Sequence, residues 1–220
     1  MANYEVDPLV LADRVPAGTE MDLHDGRCFV SLVGFMFLDT RVFGFLAPFH
    51  INFEEVNLRF YVKRVANHEL RRGVVFIKEV VPRTAIAIVA RVLYGEPYES
   101  WAMSNRRDGL SVSYEWKKGN RANRLSVIRG DDLGIPVDGS HGSFMIEHYW
   151  GYTDRGRGRT DEYRVTHPKW NLFSTQDQVI DVDFGRTHGD EFAFLNGTRP
   201  YSVLFAKGSE VSVYKGERIK

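Results

Sequence analysis

Residues 53–63 read FEEVNLRFYVK, and their alternation decides the fold class. Glu55, Asn57, Arg59 and Tyr61 fall on one face of an extended chain. Glu54, Val56, Leu58, Phe60 and Val62 fall on the other. Period-2 alternation of this kind is the mark of a β-strand with one apolar side. The polar face has two readings. On an open antiparallel sheet it meets solvent. If the sheet curls into a barrel, the same face lines a cavity, and a Glu beside an Arg becomes a binding or proton-transfer pair.

The flanking sequence is also strand-like. Residues 27–38, RCFVSLVGFMFL, form a β-branched and aromatic run that suits a buried strand. GVVFIKEVV (73–81) follows NHELRRG and makes a hairpin partner for 53–63. In an unbroken strand, Lys78 shares a face with Val74, Phe76 and Val80. LSVSYEW (110–116) and RLSVIRG read as a second hairpin around KKGNRAN. YWGYT and EYRVTH read as a third, with 155–159 as its loop, and SVLFAKGSEVSVYKG reads as two strands around Lys207-Gly208. Asp7-Pro8 opens a short helix. PRTAIAIVARVLY, with Pro at its start and frequent Ala, predicts a helix over 83–94, ended by Gly95-Glu96-Pro97. The expectation is a mainly β chain, α+β at the margin, with a few short helices. No repeat or linker divides it, so 1–220 reads as one domain.

The 220 residues suffice for a core without staples. Lys+Arg and Asp+Glu are both 29, a balance that argues against a nucleic-acid footprint. One cysteine, Cys28, excludes an intrachain disulfide and a cysteine-rich zinc site. Within its apolar strand it reads as an inert thiol. No apolar stretch nears the roughly 20 residues of a membrane helix, and no basic-then-apolar leader is visible. A soluble, cytoplasmic protein is the expectation.

Motif chemistry is sparse. The seven histidines form no HExxH or other metal spacing. His141 and His148, seven apart, and His50 with Glu54 are weak signals, and structural histidines explain them. No nucleophile elbow, P-loop or dinucleotide fingerprint occurs. No metal or cofactor is implied. Arg155-Gly-Arg157-Gly-Arg159 suits a solvated hairpin tip. Glu147-His148-Tyr149-Trp150 is dense in side chains capable of function, though an aromatic strand end accounts for it.

FVSLVGFMFLDTRVFG, NFEEVNLRFYV, RRGVVFIKEV, ARVLYGEPY, EHYWGY, EYRVTHPKW and SVLFAKGSEVSVY, in this order, resemble the YqjF-like family, also called domain of unknown function 2071. The likeness runs over roughly residues 1–215. That family is placed in the acetoacetate decarboxylase-like superfamily. The resemblance implies a cone-like or open β-barrel of mixed sheet with an internal cavity and a few flanking helices. It also implies a short apolar lead before ANYEVDP. Acetoacetate decarboxylases form a Schiff base through a lysine in a motif like Gly-Arg-Glu-Ile-Tyr-Gly-Phe-Pro-Lys-Lys. Residues 90–99, ARVLYGEPYE, are similar: Arg91, Tyr94, Gly95 and Pro97 match, while Tyr98 and Glu99 stand in place of both lysines. Neither a phenol nor a carboxylate makes an iminium with a ketone.

Three functions follow from these readings. The first is a small-molecule-binding cavity without the Schiff-base lysine. His50, Glu55, Asn57, Arg59, Arg91, Tyr98 and Glu147 would line or support it, an Arg would hold a carboxylate or keto-acid-like ligand, and a homo-oligomer is compatible with it. The second is an acid-base enzyme, lyase- or hydrolase-like, acting on a carbonyl substrate. There Glu55 is the base, Tyr98 the donor, and Arg91 or Arg59 the oxyanion stabiliser. The third is a filled, non-catalytic structural or interaction protein.

Overall fold

The structure is a computed structural model and describes residues 1–42, 45–46, 52–93 and 95–219. Its longer strands are β1 (Ala2–Val6), β2 (Cys28–Phe37), β3 (Phe53–Ala66), β4 (Glu69–Val81), β5 (Tyr98–Ser100), β6 (Ala102–Asp108), β7 (Ser111–Lys118), β8 (Arg121–Gly134), β9 (Trp150–Asp154), β10 (Thr160–Thr166) and β11 (Leu172–Asp181). The helices are α1 (Thr84–Leu93), α2 (His141–Ile146) and α3 (Phe184–His188), and 3-10 turns span Pro8–Arg14 and Asp190–Leu195. Strand accounts for 53% of the described residues and helix for 16%. The chain is mainly β.

The larger sheet is mixed and runs in the order β1-β2-β3-β4-β9-β10, with two-residue strands at both ends. β5 and β9 share the second edge of β4 end to end, each parallel to it: Trp150 and Gly151 pair with Gly73 and Val74, and Tyr98 pairs with Glu79. The smaller sheet, β11-β8-β7-β6, is antiparallel. The strand order of the larger sheet is an open path, so the closed form of a barrel is not seen.

The β3–β4 hairpin is tighter than the sequence suggests. Ala66 pairs with Glu69, leaving Asn67 and His68 as a two-residue turn, both at positive φ (52° and 64°). That is the geometry of a type I′ turn, whose twist matches the flanking strands. NHELRRG is therefore mostly strand. The last expected hairpin is absent. Ser202–Val203, Phe205–Ala206 and Ser212–Val213 pair with β1, β11 and β10 instead of with one another. The other expected hairpins, the 3-10 turn capped by Asp7, and α1 stand where the sequence places them.

The faces of β3 explain the layers. Its even residues Val56, Leu58, Phe60 and Val62 join Tyr4, Val30 and Leu32 against Tyr114, Trp116 and Leu125 of the smaller sheet, forming the main core. Its odd face is covered as well. Tyr61 packs with Phe29, Val74 and Phe144–Ile146 of α2, and Phe53 packs with Val81 and Ala87 of α1. Glu55 and Asn57, between these two apolar ends, are each 1% exposed. The polar face is thus interior, and the solvent-facing reading fails. Cys28 is buried in the main core, and burial pushes its thiol up to about 11, as suits an inert side chain. Among the described residues no helix is long and apolar enough to cross a membrane, which says nothing about a β-barrel.

Candidate functional site

A β-bulge decides which side chains meet on the buried polar face. Leu58 pairs with Lys78 but Arg59 pairs with Phe76, so Ile77 is the extra residue of β4. Before the bulge, Val75 and Ile77 enter the main core while Val74 and Phe76 lie with Tyr61 on the other side. Beyond it the parity inverts: Glu79 pairs with Asn57, and Lys78 with the core residue Leu58. An extra residue in one strand turns the following side chains over. This corrects the sequence reading, in which Lys78 shares a face with Val74 and Phe76. Lys78 instead meets Glu99 at 2.5 Å, and Trp101 donates its indole N–H to the same carboxylate.

The inverted parity brings three glutamates together. Glu55, Glu79 and Glu96 are 1%, 2% and 4% exposed. Tyr98 Oη donates to Glu55 Oε2 at 2.9 Å, and Asn57 Nδ2 donates to Glu55 Oε1 at 2.9 Å. Thr153 Oγ1 and Tyr163 Oη donate to Glu96 Oε1 at 2.7 and 2.8 Å. Glu79 adjoins the Tyr98 hydroxyl. That hydroxyl has one proton to serve two carboxyls, and Glu79 Oε2 lacks a hydrogen-bond partner among the described residues. The phenol thus stands between the carboxyls of Glu55 and Glu79.

The electrostatics agree. Burial pushes Glu55 up to about 7, against the donors Asn57 and Tyr98 and the charge of Arg59. Burial does the same to Glu96, up to about 7, against the donors Thr153 and Tyr163. Glu79 is driven well above the carboxylate range by burial and by the charges of Glu55 and Glu96. Burial and the charges of Glu55 and Glu79 push Tyr98 well above the usual phenol range. Like charges sharing a dry site cannot all ionise, so the cluster holds protons at neutral pH. Among the described residues no three His, Cys, Asp or Glu side chains are arranged as metal ligands.

Two glycines make room for this arrangement. Gly151 pairs with Tyr163, and a Cβ there would lie 2.1 Å from the Tyr163 ring. The ring therefore crosses bare backbone on its way to Glu96. Gly95, at φ +71°, lies under the Arg155 guanidinium, where a Cβ would fall 1.6 Å from a guanidinium nitrogen. Arg155 is held by Asp161 at 2.7 Å and acts on Glu96 only through its charge.

Of the residues singled out by sequence, Glu55, Asn57 and Tyr98 converge directly. Arg59 continues the same face. Its Nη2 donates to Met145 O at 3.4 Å, its Nε lacks a partner, and no carboxylate lies within ion-pair distance among the described residues. Arg91 is exposed on α1 and donates through Nε to the Tyr98 carbonyl at 2.5 Å, so it fastens the backbone of the segment. Glu147, at the end of α2, accepts from Tyr149 and shares no hydrogen bond with the cluster among the described residues. His50 lies outside the described residues. His148 is buried against Tyr61 and Asp22, and burial lowers it to about 4.

Sequence reading missed Glu79, Glu96, Thr153 and Tyr163. Glu79 is hidden by the bulge, which no period-2 count reveals. Glu96 sits in a Gly-Glu-Pro helix terminator and looks like a turn residue. Its one available signal is a charged side chain inside the segment that matches the decarboxylase motif.

Comparisons with known proteins follow the fold. The sequence profile of DUF2071, described as an uncharacterized conserved protein, matches residues 1–210. The uncharacterized protein YqjF of Bacillus subtilis (strain 168) is 27% identical over 212 residues, covering 93% of this chain and 86% of the relative. Among solved structures, the enduracididine biosynthesis enzyme MppR complexed with pyruvate superposes with a TM-score of 0.60 at 13% identity, covering 99% of this chain and 83% of that one. An acetoacetate decarboxylase from Legionella pneumophila gives a TM-score of 0.57 at 14% identity, with 99% and 79% covered. An acetoacetate decarboxylase-like enzyme from Sphingomonas wittichii RW1 gives 0.60 at 14% identity, with 100% and 89% covered. At these identities the likeness shows the fold alone.

Proposed function

The chain belongs to the DUF2071 family, and on that premise we propose that it binds a small carbonyl-bearing acid in its polar interior and exchanges protons with it without forming an imine. The observation that carries this reading is the buried Glu79–Tyr98–Glu55 group, in which one phenol stands between two carboxyls that burial raises, Glu79 further raised by the charges of Glu55 and Glu96. Two carboxyls pushed apart in protonation by their surroundings supply an acid and a base at one pH. Arg59 is the seat for the ligand's carboxylate, because its guanidinium lacks an acidic partner and continues the face of Glu55 and Asn57. Glu55 takes the proton from the carbon next to the carbonyl as that C–H bond breaks. The proton of Glu79, passed through the Tyr98 hydroxyl, goes to the carbonyl oxygen, and an enol results. Tyr98 stands where the similar motif carries lysine, and a phenol forms no Schiff base. That a structural relative is complexed with pyruvate supports the choice of ligand class.

The test is hydrogen–deuterium exchange of the pyruvate methyl group in D2O, followed by proton NMR. The wild-type protein is expected to accelerate exchange. Tyr98→Phe and Glu55→Gln should slow it by about 10²-fold or more, and Arg59→Met should weaken pyruvate binding. Binding without exchange would leave a ligand-binding protein and remove the acid-base reading. Borohydride treatment with pyruvate or acetoacetate should leave the protein mass unchanged. A reduced adduct on Lys63 or Lys78 would overturn the proposal.

A further inference from the structure

Away from the glutamates, the two sheets part at one end and leave a cleft of about 200 Å³ between β2 and the β6–β7 pair. Met36 and Leu38 on one side and Val112 and Tyr114 on the other give it apolar walls, and Asn105, Arg106 and Arg107 of β6 complete the lining. Arg107 pairs with Val112, and Asn105 with Tyr114, so Arg107 is aimed at the inner side of β6. Arg106 also borders the cleft and pairs with Asp108 at 3.1 Å. Arg107 has no ion-pair partner among the described residues. The carboxylate that shares its side, Glu54, is taken by Asn105 Nδ2 at 3.1 Å. The Tyr114 ring packs against Gly34, where a Cβ would fall 2.6 Å from it.

We propose that this cleft binds a short-chain aliphatic carboxylate, its tail between Met36, Leu38, Val112 and Tyr114 and its head on Arg107. Charge complementarity selects the head, because Arg107, among the residues that line the cleft, is a guanidinium with no ion-pair partner among the described residues, and a guanidinium suits a planar carboxylate. Volume selects the tail. The cleft is smaller than the roughly 300–1,000 Å³ of sites for drug-sized ligands. At roughly 30 Å³ per group, the share of a water in the liquid, it takes about six or seven heavy atoms. With its two oxygens outside on Arg107, the six carbons of a six-carbon acid fill it. The competing explanation is that an inward-pointing arginine on an edge strand only guards that edge against pairing.

The experiment uses the full chain with its methionine methyl groups labelled with carbon-13, titrated with butyrate, hexanoate, octanoate and hexanol. Hexanoate is expected to move the Met36 methyl signal saturably and leave Met145, beside Arg59, in place. Affinity should rise about fourfold per methylene and level off beyond six or seven carbons. Arg107→Gln should weaken hexanoate about tenfold and leave hexanol unchanged, and Tyr98→Phe should change neither. Three results would each overturn the proposal: no movement of Met36 at millimolar hexanoate, equal weakening of hexanoate and hexanol by Arg107→Gln, or movement of Met145 alone.

Discussion

Glu96→Gln is the sharpest probe of the buried cluster. In the native protein burial holds the Glu96 carboxyl up at about 7, against 4.5 for an exposed glutamate. A raised carboxyl pKa means the folded state keeps a proton that the unfolded state releases. Stability is then full below about pH 4.5, falls as pH rises through the interval to about 7, and is level above it. At 1.36 kcal/mol per pKa unit the loss is on the order of 3 kcal/mol for this group, an upper figure because Glu79 and Glu55 share the same protons. Glutamine keeps the carbonyl oxygen that accepts from Thr153 and Tyr163 but cannot ionise. The variant should therefore match the wild type near pH 4.5 and exceed it by up to about 3 kcal/mol at pH 8. It should also lower the Glu79 pKa, which the Glu96 charge helps to raise. Urea unfolding at half-unit pH steps measures the first effect, and carbon-13 NMR of the glutamate side-chain carboxyls measures the second. Parallel stability curves for the two proteins, or a Glu96 midpoint between 4 and 5, would refute the account of a desolvated, proton-holding cluster.

Other substitutions test other parts of the construction. Gly151→Ala should destabilise by about 1–3 kcal/mol in thermal unfolding and shift the Glu96 titration upward, because the new Cβ displaces Tyr163 from the carboxyl it supports. Arg91→Met should leave the Glu55 titration unmoved and cost less than about 1 kcal/mol, since Arg91 is exposed and its side chain bonds the Tyr98 carbonyl rather than the cluster among the described residues. A Glu55 midpoint that rises in that variant would restore Arg91 to the pocket the sequence assigns it.

How far the sequence alone reaches is clearest on β3. The alternation of 53–63 determined a strand, its apolar side, and the grouping of Glu55, Asn57 and Arg59, because side-chain direction along a strand is a local property of period two. The helix over 84–93, the Asp7 cap and three hairpins were legible for the same reason: caps, turns and periodicity act within a few residues. The motif resemblance reached further, to an acetoacetate decarboxylase-like scaffold. Whether the polar face meets water was beyond reach, since it depends on α1 and α2, elements remote in the chain, closing over it. The partners of Glu55 were beyond reach too. Glu79 arrives through a single extra residue in β4 that inverts the parity of the strand, and Glu96 is met by Thr153 and Tyr163, 57 and 67 residues further along the chain. Burial then does what composition cannot show: it removes water from three carboxyls at once, raising all of them and coupling their titrations.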